Sequence, residues 1–125
     1  MKILTEQLLS VIRESANRMA KTKNEEKTFD FYAEVKPYVD EISALLDEWE
    51  VLAKKWISTC RPKYLYPQQI ETAKDHIENI AIQSFFHDTS QTRFNNRKQS
   101  AEYTLKHLLS EVQNKVAEKK EKAEK

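Results

Sequence analysis

Apolar side chains recur at steps of three and four residues through most of this chain, the spacing of helices that bury one face. Leu4, Leu8, Val11, Ile12, Ser15 and Met19 share such a face, with Ile3, Ala16 and Ala20 beside it, and predict a first helix over Leu4 to Lys21. Lys21 to Lys27 is polar and reads as a loop. Pro37 lacks an N–H and crowds the carbonyl four residues back, so it predicts a short helical turn before it and a long helix from it to Thr59. Tyr38, Ile42, Leu45, Trp49, Leu52, Trp56 and Thr59 alternate steps of four and three along that helix, a heptad seam. Val39, Leu46, Ala53 and Ile57 widen the seam.

Pro62 stops the second helix, Arg61 to Tyr66 forms a loop, and Pro67 opens a third helix at its first position. Ile70, Ala73, Ile77, Ile80, Ala81 and Ser84 make its stripe, closed by Phe85 and Phe86, and Asp88-Thr89-Ser90 is the next connection. The fourth helix starts between Ser90 and Arg97 and carries Phe94, Ala101, Leu105, Leu108, Val112 and Val116. Lys115 to Lys125 is charged on every face and reads as a solvated helical tail. Four stripes joined by short loops predict an all-α fold, an antiparallel up-down-up-down four-helix bundle. A single domain over 1–118 and a fraying charged tail over 119–125 follow, with Trp49, Leu52, Trp56, Leu8, Ile77 and Leu108 in one core.

Composition sharpens this picture mainly by exclusion. The chain has 125 residues and no glycine. Glycine supplies positive φ and lets the backbone approach a ligand closely. Without it there is no P-loop, no dinucleotide-binding G-x-G-x-x-G and no G-x-S-x-G nucleophile elbow. The same absence suits loops that need no left-handed residue. Cys60 is the only cysteine, which rules out an intrachain disulfide and a multi-cysteine zinc site. No run approaches the length of a membrane span, and no signal-peptide run opens the chain, so a cytoplasmic location without membrane association is expected. The net charge of +1 argues for no global attraction to nucleic acid.

Candidate chemistry is sparse. Ala73, Ser84 and Thr104 stand three residues before His76, His87 and His107, so the Glu-x-x-His motif of di-iron bundles is missing. No catalytic residue, metal ligand or cofactor is assigned, and the expectation is a protein that is not an enzyme.

The ordered set Phe29-Asp30-Phe31, Lys36-Pro37, Arg61-Pro62-Lys63-Tyr64, Gln69-Ile70-Glu71, Gln83-Ser84, His87, Arg93-Phe94 and Tyr103-Thr104-Leu105 resembles the YppE-like family of bacterial proteins over nearly the whole chain. The resemblance implies a four-helix bundle of Gram-positive bacteria and no activity.

Two surfaces remain as candidates. The antiparallel topology brings Phe29, Phe31, Tyr32, Tyr38, Phe85, Phe86, His87 and Phe94 to one end, with Asp30, Asp88 and Arg93. As a pocket, this end would use Arg93 to grip a carboxylate or phosphate, the rings to hold an apolar group, and His87 to tune binding near neutral pH. As a plain cap, it would interdigitate its rings and pair Arg93 with Asp30. The second surface is Arg61, Lys63, Tyr64 and Tyr66 in one loop, echoed by Arg93, Phe94, Arg97 and Lys98, where basic and aromatic residues alternate as nucleic-acid contacts do. The reading adopted is a protein–protein interaction module with another protein as partner, and a nucleic-acid-associated protein as the alternative.

Overall fold

The computed structural model describes residues 1–26 and 28–124, with side chains through Asn114. Its helices are α1 (Lys2–Glu25), α2 (Lys36–Cys60), α3 (Pro67–Gln83) and α4 (Gln91–Glu124). They form an antiparallel up-down-up-down bundle, and no strand occurs among the described residues. Helix α1 packs chiefly on α4 and α3 and touches α2 least. Val116 and the charged tail expected over 119–125 lie outside the residues whose side chains are described.

The N-terminal helix runs past the expected loop, through Glu25. Lys21, Asn24 and Glu25 occupy its solvent face, so their polarity does not end it, whereas Thr22 is buried on the inner face. A π-helical turn, Phe31–Val35, precedes α2. Pro37 offers no N–H to the Ala33 carbonyl and crowds it, so the chain widens there before the α-helix is established. Asp30 Oδ1 accepts from the Ala33 N–H at 2.9 Å, and Glu34 Oε2 accepts from the Asp30 N–H at 3.0 Å. At the head of α3 the Tyr66 N–H donates to Gln69 Oε1 at 2.7 Å, a reciprocal cap beside Pro67.

The missing glycines do not spare the chain left-handed backbone. Glu26, Arg61 and Tyr64 have φ of 47°, 46° and 62°. Glu26 and Arg61 cap α1 and α2, where the left-handed residue returns its N–H to the last turn. Each of these side chains costs on the order of 1 kcal/mol in that conformation, so helix capping outweighs the local penalty here.

The main core joins Leu8, Val11 and Ile12 of α1 to Ile42, Leu46, Trp49, Ala53 and Ile57 of α2, with Ile70, Ala73, Ile77 and Ala81 of α3 and Ala101, Leu105 and Leu108 of α4. The seam of α2 is rotated from the expected one. The flanking Leu46, Ala53 and Ile57 are the buried set, Trp56 packs at the core edge, and Leu52 and Thr59 are exposed. Trp49 is fully buried, and its Nε1–H donates to Thr5 Oγ1 at 3.0 Å. That hydroxyl donates in turn to the Met1 carbonyl at 2.9 Å, so both polar groups are satisfied. Leu65, in the 61–66 loop, plugs this end of the core.

Two lysines clamp α2 to α3. Lys54 lies 2.7 Å from Glu71 and 3.6 Å from Glu50, and Lys74 lies 2.8 Å from Asp47 and 3.5 Å from Glu50. The Glu71 hydrogen bond raises the pKa of Lys54 above the ordinary lysine value, and the Asp47 hydrogen bond does the same for Lys74.

Trp49→Ala is expected to destabilise the fold by about 3–5 kcal/mol in urea unfolding, and Leu52→Ala by less than about 1 kcal/mol, because only the first empties a closed site. Raised lysine pKa values stabilise the fold at neutral pH, up to the unfolded value near about 10.4. Thermal unfolding followed upward from there is expected to show a small loss of stability as each ammonium deprotonates, and Lys54→Met combined with Lys74→Met is expected to remove it.

Candidate functional site

The inner stripe of α1 runs Leu8, Val11, Ser15, Arg18, Thr22, so a half-buried arginine stands on it about two turns before the helix ends. Its guanidinium has no ion pair among the described residues. Instead its Cζ stands 4.4 Å from the ring centroids of both Tyr38 and Phe85. One Nη donates to Ser84 Oγ at 3.0 Å. Ser84 is fully buried at the end of α3, where its hydroxyl donates to the Ala81 carbonyl at 2.8 Å and its own carbonyl accepts from Thr22 Oγ1 at 3.0 Å. One serine therefore ties the last turns of α1 to the end of α3.

The rings around Arg18 are ordered edge to face. Phe29 meets Phe85 at 5.1 Å and 88°, and Tyr38 meets Phe85 at 5.5 Å and 70°. The Tyr38 hydroxyl oxygen is buried with no hydrogen-bond partner. Lys23 Nζ donates to the carbonyls of His87 and Thr89, which fixes the loop after α3 against α1. Phe29 lines two grooves. One, of about 350 Å³, has Glu14, Arg18, Lys21, Thr22 and Glu25 along its α1 side. The other, of about 270 Å³, is completed by Thr28, Phe85, Phe86, His87 and Asp88.

This geometry gathers some of the residues expected at this end and separates others. Phe29, Phe85 and His87 come together. Phe31 and Tyr32 pair at 5.3 Å and 89° on the π-helical turn, and both are exposed. Phe94 does not join them: it is buried against Met19 and Ile80 in a second small core. Arg93 lies exposed on the first turn of α4, lines neither groove, and makes no pair with Asp30, whose carboxylate caps the π-helical turn. The guanidinium among the rings is that of Arg18. An arginine at a heptad position of the first stripe was its signal, and a reading keyed to apolar residues passes over it. Arg61, Lys63 and Tyr64 are all exposed on the loop at the opposite end.

The family signature of a "bacterial domain of unknown function (DUF1798)" matches residues 5–112. The chain belongs to the DUF1798 family. Within that family it is similar to the uncharacterised protein YppE of Bacillus subtilis, with 34% identity over 109 residues, 87% of this chain and 89% of that protein. The crystal structure of YppE superposes with a TM-score of 0.89 at 32% identity, covering 93% of this chain and 94% of the other. A Listeria innocua protein of unknown function gives 0.88 at 34% identity, covering 93% of both chains. A DUF1798 domain from Staphylococcus aureus gives 0.82 at 26% identity, covering 90% of this chain and 95% of that one. The expected resemblance and bundle fold of this DUF1798 chain are thus borne out. Among its described residues, no three His, Cys, Asp or Glu side chains gather to hold a metal ion, and no helix is long and apolar enough to cross a membrane.

Ser84→Ala removes the acceptor of Arg18 while leaving the rings in place. It is expected to destabilise the fold by about 1.5–3 kcal/mol, the range for a hydrogen bond to a charged group, read as a shift in the urea midpoint at constant m-value.

Proposed function

We propose that this DUF1798 protein is a non-enzymatic interaction module that docks another protein at the bundle end built around Phe29. The observation that carries this reading is the exposure of Phe31, Tyr32 and Phe86 at one end, beside the two grooves lined by Phe29. Large aromatic side chains left in solvent next to concave surface are the makings of a docking face, because burying them against a partner returns the hydrophobic free energy that folding leaves unused. Two of the polar groups nearby are engaged in architecture: Asp30 caps the π-helical turn and Lys23 holds the 87–89 loop. Cys60 lies at the other end of α2.

Site-specific photocross-linking tests the reading. Benzoylphenylalanine is placed at position 31, at position 64 in the opposite loop, and at exposed position 51 on the flank of α2. A discrete protein adduct in Gram-positive cells at position 31, absent at 51 and lost with Phe86→Ala, is expected. Adducts confined to position 64 and sensitive to nuclease contradict it and favour nucleic-acid binding through Arg61, Lys63 and Tyr64.

A further inference from the structure

Arg18 is a charged side chain with most of its surroundings already built and no counter-ion among the described residues. Its stem is partly buried, its guanidinium sits over two rings, and Ser84 takes one of its five N–H donors. The guanidinium is half-buried and lines the groove, so N–H donors that no carboxylate holds are open to an anion entering there. Glu14 stands one turn before Arg18, at the spacing of a helical ion pair, yet no ion pair forms between them. The rings and Ser84 hold the guanidinium away from it.

Resting on the docking reading above, we propose that the groove between α1 and Phe29 receives the C-terminal residue of the partner polypeptide. Arg18 binds the chain-terminal carboxylate, and the last side chain packs on Phe29. Three features select this occupant. The groove holds about 350 Å³, the low end of ligand pockets, which suits one terminal residue better than a chain passing through. Lys21 adds a second cation beside Arg18, while Glu14 and Glu25 line the same space. With two cations and two carboxylates the lining carries no net charge, so it suits a single carboxylate seated on Arg18 better than the higher charge of a phosphate or an acidic run.

The test uses the full chain and Arg Nε–Hε NMR, with N-acetyl-leucine as the mimic of a chain end and N-acetyl-leucine amide as its neutral counterpart. The acid is expected to shift the Arg18 signal saturably, together with the Thr22 and Phe29 amides, and the amide to bind about tenfold or more weakly, since it lacks the charge-assisted contact. Arg18→Gln is expected to abolish the acid-dependent shifts at Thr22 and Phe29. The comparison of acid with amide on the unaltered chain stands even where that variant fails to fold. Equal responses to acid and amide, or no response to either, overturn the proposal. So does inorganic phosphate shifting the same signals at lower concentration than the acid. Cross-linking at position 31 reads docking independently, so a failed titration beside a retained adduct rejects the carboxylate and keeps the docking face.

Discussion

Down the inner stripe of α1 the side chains change from apolar to polar: Leu8 and Val11, then Ser15, the half-buried Arg18 and Thr22. A guanidinium on that stripe cannot be packed like a leucine. It needs ring faces, a hydrogen-bond acceptor and a route to solvent. One end of the bundle is organised around that need. Tyr38 from the head of α2 and Phe85 from beyond α3 supply the faces, Ser84 supplies the acceptor, and Thr22 holds the Ser84 carbonyl from below. Phe29 then leans edge-on against Phe85 and separates two grooves. The opposite half, around Trp49 and Leu65, is a conventional apolar core in which the Trp49 indole N–H is paired with Thr5.

The two halves differ in what they leave for function. Around Trp49, burial is complete and stability is the product. Around Arg18, charge is seated but not neutralised, rings remain in solvent on the π-helical turn, and concave surface persists. The likeness to YppE and its relatives supplies a fold without dictating a use for this arginine.

Much of the fold was legible in the sequence because four apolar stripes and three prolines leave few alternatives. Pro37 and Pro67 each stand at the head of a helix, and Pro62 follows the end of one. The face of α2 was not fully legible. Both Leu45-Trp49-Leu52-Trp56 and Ile42-Leu46-Trp49-Ala53-Ile57 have helical spacing, and periodicity cannot choose between overlapping stripes; packing against α1 and α3 makes that choice. The loops misled in another way. A chain without glycine invites the inference of loops without positive φ, yet Glu26 and Arg61 adopt it where they cap α1 and α2, and Tyr64 adopts it within the 61–66 loop. The aromatic end was legible as a cluster of rings, but Arg93 stood in for Arg18, since a lone arginine inside an apolar stripe reveals its role only when Ser84, Tyr38 and Phe85 converge on it.

The central claim is that Arg18 is held ready in the free protein rather than ordered by a ligand. Side-chain NMR of the unliganded chain tests this most directly, with Arg13, exposed on the same helix, as the internal reference. The account predicts upfield ring-current shifts for the Arg18 Hδ and Hε protons and slowed rotation of its guanidinium, neither shared by Arg13. Arg18 signals that match those of Arg13 in shift and exchange would contradict it.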